Sequence, residues 1–187
     1  MVPVAAPRFD LTECLSDAER AFVEALHARA ESGGWYADSW RVWDDRLTLS
    51  VCSRGGPPEC SCVLRTLRVD FDGAVVRFGS DETHQFVTDL DPARPGTSML
   101  SGRPVAELAG SAADWLEWEM RRPIVRHEWD RLDERGVAPR LWVLVDTGEG
   151  IVARGQRSAD FGPPDRVVPV LGSASGAEPG AAPDTAG

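Results

Sequence analysis

The chain has 187 residues, of which 42% are hydrophobic, and it carries a formal net charge of −10 at pH 7. This length is enough for one sizeable hydrophobic core. All 20 basic residues are arginines, which excludes Schiff-base chemistry, pyridoxal phosphate anchoring and a Walker A loop, because each of these needs a lysine. The negative charge opposes binding to a phosphate backbone, so no nucleic-acid partner is expected.

The arginine bias, together with abundant Ala, Gly, Asp and Pro, indicates the codon usage of a high-GC bacterial genome. No stretch approaches the roughly 20 apolar residues of a membrane helix, and the N-terminus lacks the basic and apolar regions of a signal peptide. We therefore expect a cytoplasmic protein without a membrane partner. Its four cysteines would then lie in a reducing compartment, where stable disulfides are uncommon.

The first predicted element is a helix that follows an irregular lead-in over residues 1–11. Ser16 and Glu19 form the S-x-x-E pattern of a capping box, which predicts a helix start at Ser16. The apolar residues that follow recur with helical spacing on one side of the chain as far as about Ser32. Gly33-Gly34 then ends the helix.

After this helix the hydrophobic period changes to two, which is typical of strands with one buried face. Runs at 35–43 and 47–52 predict a hairpin, and a Pro/Gly-rich loop follows at 53–61. The sequence from Val69 to Phe78 predicts a second hairpin, with Asp72-Gly73 at the two central positions of a type I′ turn. A fifth strand is predicted at 84–90, and a surface loop at 92–102.

A second helical region is predicted at 104–135, kinked or restarted at Pro123. Its segment 111–135 is apolar on two faces, and a helix of this kind needs two partners. One face would then pack on the sheet and the other on a loop, a ligand or another chain, for example a second copy in a homodimer. The interpretation that we favour is that Pro123 breaks the helix and each half buries one face within the domain. The first face contains Trp115, Trp118 and Trp129, and the second contains Leu116, Met120 and Ile124.

The last predicted strand is at 141–145, with a return through 151–153. Beyond about Gln156 large apolar residues become rare, so residues 157–187 are predicted to be a largely disordered tail, and residues 12–156 a single domain. Consecutive strands with short turns predict an α+β fold with a mainly antiparallel sheet of five to seven strands. The N-terminal helix and the Pro-kinked, Trp-rich C-terminal helix would flank this sheet.

Three cysteines, Cys52, Cys60 and Cys62, lie in and around the Pro/Gly-rich loop with C-x7-C-x-C spacing. His84 or Cys14 could supply a fourth zinc ligand. Structural zinc sites usually consist of two C-x2–4-C pairs, so this spacing is a poor match. We expect ordinary half-buried thiols, with no metal and no other cofactor.

Residues 81–91 contain four carboxylates and no arginine. We call Asp81, Glu82, Asp89 and Asp91 the acidic segment. These side chains could bind a cationic partner, or they could form a solvated edge strand that resists edge pairing. His84 lies within the same stretch, but the period of two places it on the side opposite Asp89. A general base made of these two residues would therefore need a twisted strand or a carboxylate from elsewhere.

No nucleophile elbow, dinucleotide-binding, zinc-protease or EF-hand pattern occurs in the sequence. In outline, an acidic α+β domain of this kind is similar to bacterial immunity and adaptor proteins. Our first hypothesis is an accessory protein, not an enzyme, that recognises a basic protein or peptide through the acidic segment and the face of Leu116, Met120 and Ile124. The alternative is a small cytosolic tailoring enzyme of secondary metabolism that uses His84 or His127 with carboxylates and arginines.

Overall fold

The structure is a computed structural model that describes residues 7–42, 46–55, 62–81, 89–93, 96–132, 136–151 and 161–172. The described residues form two compact units. The first unit contains those within 7–53 and 65–117, and the second contains those within 54–64 and 118–172. No helix of these described ranges is long and apolar enough to cross a membrane. The boundaries predicted for a single domain and a tail stay predictions.

The first helix begins where the capping pattern predicts. A short 3-10 helix at Leu11–Glu13 precedes α1, which spans Asp17–Gly33. The Ser16 side chain accepts a hydrogen bond from the Glu19 amide at 3.2 Å, and the Glu19 carboxylate reaches back to the Leu15 amide at 2.6 Å. Both contacts satisfy amides that the helix itself leaves unpaired.

Five strands form the sheet of the first unit in the order β1-β2-β3-β4-β5. The register of β1 on β2 pairs Val42 with Arg46 and Tyr36 with Cys52, which confirms the first predicted hairpin. Leu100 of β5 pairs with Val76 of β4, although 92–102 was predicted to be a loop. Short strands of four residues carry little periodicity, which explains the error. The strands are β1 (Tyr36–Val42), β2 (Arg46–Gly55), β3 (Cys62–Phe71), β4 (Val75–Ser80) and β5 (Ser98–Ser101).

The second predicted hairpin, between β3 and β4, is also confirmed, but its turn is shifted by one residue. The Asp72 amide bonds the Val75 carbonyl at 3.3 Å, so Gly73 and Ala74 lie at the tip. Gly73 has a φ of +94°, which a residue with a Cβ adopts only with strain. Asp72 precedes the tip and its carboxylate accepts from the Val75 amide at 2.8 Å.

One face of this sheet carries the apolar core of the first unit. Leu67, Val69 and Phe71 alternate along β3 and are buried. Phe71 stacks on Phe22 of α1 with ring centroids 4.2 Å apart. On β4, Phe78 packs against Trp115 of the second helix with ring centroids 5.1 Å apart. The helices therefore pack on the face that these alternating residues define.

The second helix is shorter than predicted. The helix α2 spans Val105–Arg121, and β6 (Ile124–Glu128) follows at once. Pro123 has no amide hydrogen and disfavours a helical conformation at Arg122, so the helix ends instead of kinking. The expectation of a kinked helix through 111–135 was wrong, whereas the predicted break at Pro123 is confirmed, and the residues after it form a strand instead of a second helical half.

This ending removes the second apolar face that the sequence predicted. Leu116 is buried on α2, Met120 is half-buried, and Ile124 is buried in a different element, against Leu64 and Leu144. The chain itself covers Leu116 and Ile124. A homodimer through a continuous face of these residues therefore has no structural basis.

The second unit contains a three-stranded antiparallel sheet in the order β7-β6-β8. The strand β7 (Arg140–Leu144) matches the predicted strand at 141–145, and Val143 bridges to Gly150, one residue before the predicted return at 151–153. The strand β8 (Arg166–Leu171) pairs with β6 and lies inside the range predicted to be a tail. Its six residues alternate too weakly to be recognised from composition. Pairing with β6 and the packing of Val170 and Leu171 on a buried apolar cluster stabilise them. Residues 173–187 lie outside the described residues.

The α+β class with a mainly antiparallel sheet is thus confirmed. The predicted strand at 84–90 lies mostly outside the described residues, and its last two residues, Asp89 and Leu90, are not in a strand. The described strands number eight, in two sheets.

Candidate functional site

The face of the five-stranded sheet opposite the helices is polar and yet buried. Charged or hydroxyl side chains alternate with the core residues along β2 and β3, and most are less than one-tenth exposed. Burying charges of both signs costs several kcal/mol unless each is well paired, so this face is the strongest candidate site in the described chain. We call it the polar sheet face, and it comprises Arg46, Thr48, Ser50, Thr66, Arg68, Asp70 and Asp81.

Asp70 is the centre of the polar sheet face. Arg68 donates to its two oxygens at 2.8 and 2.7 Å, a bidentate geometry. The hydroxyl of Thr48 donates to the same carboxylate at 2.8 Å, and Nε of Arg46 lies 3.5 Å from it. Both carboxylate oxygens are therefore occupied by groups of this chain, and the cluster ties β2 to β3.

Arg46 connects the polar sheet face to the chain after β4. Its guanidinium forms an ion pair with Asp89. Nearby, a Cβ built on Gly79 of β4 would lie 2.9 Å from Oγ1 of Thr97 and 3.5 Å from Leu90. Gly79 therefore permits the close approach of these side chains to β4, and the Arg46 pair holds Asp89 beside them.

Buried polar atoms of the polar sheet face include some that accept or donate no hydrogen bond among the residues that the structure describes. Among these are Oγ1 of Thr66 and Oδ2 of Asp81. An unsatisfied buried polar group costs about 1–3 kcal/mol, and each such group in a folded protein calls for an explanation.

The lack of arginines suggested that the acidic segment is a row of free surface charges. The structure shows a different arrangement. Asp81 is buried, and Asp89 is paired with Arg46, which precedes it by 43 residues. Asp91 is exposed and accepts from the Ala93 amide at 2.9 Å. Glu82 lies outside the described residues. Participation of the acidic segment in partner binding stays a prediction.

The predicted catalytic residues fall in different places. His84 is outside the described residues, and Asp89 binds Arg46. His127 lies on β6 in the second unit, with its ring 6.1 Å from that of Trp129 in an edge-on arrangement. Partial burial lowers the pKa of His127 below its ordinary value, because the charged imidazolium loses solvation.

The cysteine loop cannot be assembled into a site from the described residues. Cys52 is half-buried, Cys60 is outside the described ranges, and for Cys62 only its place at the start of β3 is described. Within those ranges, no group of three or more His, Cys, Asp or Glu side chains could hold a metal ion.

A second charged cluster lies on the three-stranded sheet. Glu128 accepts from Arg126 at 2.7 Å and from Arg166 at 3.1 Å, and Arg140 approaches to 4.0 Å. Burial acts to raise the pKa of Glu128, but the Arg126 hydrogen bond and the charges of the three arginines hold it below its ordinary value. At the end of α2, Arg122 pairs in the same way with Glu119 at 3.1 Å.

Sequence reasoning missed the polar sheet face. The available signal was the alternation of Arg68 and Asp70 with Leu67, Val69 and Phe71, which places opposite charges two residues apart on one face. Alternation indicates that the two faces differ. It does not indicate that the polar face is covered.

Comparison with known proteins gives no further guide: no family model matches the chain, and neither a curated protein nor a solved structure is similar to it.

Proposed function

We propose that the chain is an accessory binding protein that recognises a basic protein or peptide, with the acidic segment as its contact surface. The observation that supports this proposal best is the state of Asp89. Its side chain is 78% exposed although the carboxylate binds Arg46, whose own side chain is only 9% exposed. An anchored but exposed carboxylate can meet a partner's cation without first being ordered, which lowers the entropic cost of binding.

The charge balance supports the same proposal. Arginines of the described chain pair repeatedly with its own carboxylates, as Arg29 does with Asp114 and Glu117 and Arg41 with Glu19. The remaining excess of acid gives the net charge of −10. A field of this sign accelerates encounter with basic partners and repels acidic ones.

The alternative of a tailoring enzyme has weaker support. Its best feature is the buried cluster around Asp70, since charged groups in such surroundings often belong to active sites. Both oxygens of Asp70 are nevertheless taken by Arg68 and Thr48. A carboxylate saturated in this way stabilises the sheet and has no oxygen left for a substrate.

The experiment that tests the proposal is a titration of a fluorescent oligolysine peptide with the full chain. A second titration with fluorescent oligoglutamate provides the control peptide of opposite charge. The decisive variant is the double replacement Asp89→Asn and Asp91→Asn, in which the amides can still accept the bonds from Arg46 and Ala93. The matched control is Glu24→Gln with Glu107→Gln, which changes the net charge equally at exposed helix positions.

We expect oligolysine to bind to the wild type and the control, and to bind at least tenfold more weakly to the double variant, about 1.4 kcal/mol. Equal loss in the control would mean that only net charge matters. Binding of oligoglutamate, or no binding of oligolysine, would contradict the proposal.

A further inference from the structure

Thr66 and Asp81 form a pair of buried acceptors at one end of β3 and β4. The Asp81 amide donates to the Thr66 carbonyl at 2.8 Å, which continues the pairing of Leu67 with Ser80 by one more position. Directly paired residues in an antiparallel sheet point to the same face. The side chains of Thr66 and Asp81 therefore lie next to each other on the polar sheet face.

The hydrogen bonding of these two side chains is incomplete although both are buried. Thr66 is 7% exposed and Asp81 6% exposed. Oγ1 of Thr66 and Oδ2 of Asp81 have no partner in the described part of the chain. Thr48, by contrast, is fully buried and donates its hydroxyl hydrogen to Asp70. The Thr66 hydroxyl makes no such bond to Asp81, so Oδ2 of Asp81 is left without a donor among the described residues.

The chemistry of the missing donor follows from these two acceptors. A carboxylate oxygen with a hydroxyl oxygen beside it is matched by a compact cation that offers several N–H groups in different directions. A primary ammonium has this shape, whereas the planar guanidinium fork prefers two oxygens of one carboxylate. The chain contains no lysine, so a side-chain ammonium must come from another molecule.

We infer that Thr66 and Asp81 bind a primary ammonium group, with Oδ2 of Asp81 as the charged acceptor and Oγ1 of Thr66 as the second acceptor. The inference deepens the proposed function and rests on it only for the source of the ammonium, which is then a lysine of the basic partner. A free small amine would present the same chemistry.

The test of the site uses methylammonium chloride and, as a matched control salt, tetramethylammonium chloride. Both cations carry one positive charge, but only methylammonium has N–H donors. We expect methylammonium to raise the melting temperature of the full chain, because a ligand that binds the folded state stabilises it. Tetramethylammonium should leave the melting temperature unchanged.

The variants assign the effect to the two residues. Thr66→Val removes a hydroxyl that has no partner, so the variant should fold as well as the wild type and lose most of the methylammonium effect. Thr48→Val should lower the denaturation midpoint and retain the effect. Asp81→Asn should also abolish the methylammonium effect. If Asp81→Asn does not fold, Thr66→Val alone still tests the inference. Equal shifts with both salts, or a full effect in Thr66→Val, would overturn the inference.

A peptide arm distinguishes the two sources of the ammonium. If the partner supplies it, oligolysine should bind at least about tenfold more tightly than oligoarginine of equal length, and Thr66→Val should remove the difference. Equal binding of both peptides would refute the lysine source and leave the proposed function standing. A methylammonium effect without any peptide binding would support the site and contradict the proposed function.

Discussion

Replacing Asp70 with leucine tests the polar sheet face most sharply as a source of stability. The substitution leaves the guanidinium of Arg68, which is 2% exposed, without the carboxylate that it binds through two hydrogen bonds. Removing one partner of a buried ion pair costs about 3–5 kcal/mol. With a urea slope of about 2 kcal/mol per molar, the denaturation midpoint should fall by about 2 M. Urea titration followed by far-UV circular dichroism measures this shift.

The matched control is Asp130→Leu, because Asp130 also pairs with an arginine, Arg166, but both side chains are more than half exposed. An exposed pair contributes about 0–1 kcal/mol, so the control should shift the midpoint little. The double variant Arg68→Met with Asp70→Leu removes both charges and should recover more than half of the loss. If Asp70→Leu were no more damaging than Asp130→Leu, the reasoning about buried pairing would be refuted.

Three further predictions concern other positions. Burial acts to raise the pKa of Glu19, but hydrogen bonds from Arg41 and the Leu15 amide lower it below its ordinary value. The ionised Glu19 therefore stabilises the folded state above about pH 4.5, and this contribution is lost as the pH falls further. Urea midpoints of Glu19→Gln and the wild type should therefore differ at pH 7 and converge at pH 3. Gly73→Val should cost about 1–3 kcal/mol of strain at the positive φ and lower the melting temperature, while Gly73→Asn should cost much less. Burial lowers the pKa of His127, so acidification from pH 7 to pH 5 should destabilise the wild type more than His127→Phe, as denaturation midpoints would show; equal destabilisation would contradict this.

Local signals in the sequence predicted the elements that depend on local chemistry. Ser16 and Glu19 indicated the start of α1, and Asp72-Gly73 indicated the β3–β4 hairpin, since caps and tight turns depend on a few adjacent residues. The end of α2 was harder to predict. Trp129 continues the helical spacing of Trp115 beyond Pro123, and only the pairing of β6 with β7 and β8 shows that this spacing is accidental.

The candidate site depended on contacts that no local pattern shows. Arg46 and Asp89 are 43 residues apart, and Thr48 and Asp70 are 22 residues apart. The acidic segment was recognisable from its composition, but its anchoring by Arg46 was not, because a charge's partner across the sheet depends on strand register. Short strands such as β5 and β8 were missed because four to six residues carry little periodicity of their own.

The association rate of oligolysine with the full chain, measured by stopped flow across a range of salt concentrations, tests the central claim most directly. If the acidic segment is the contact surface, the wild type should associate rapidly at low salt and slow steeply as salt screens the charges. The double variant Asp89→Asn and Asp91→Asn should be slower at low salt, with a flatter salt dependence, while Glu24→Gln with Glu107→Gln follows the wild type. Identical rates and salt slopes for the wild type and the Asp89 and Asp91 double variant would contradict the claim that this chain recognises basic partners through its acidic segment.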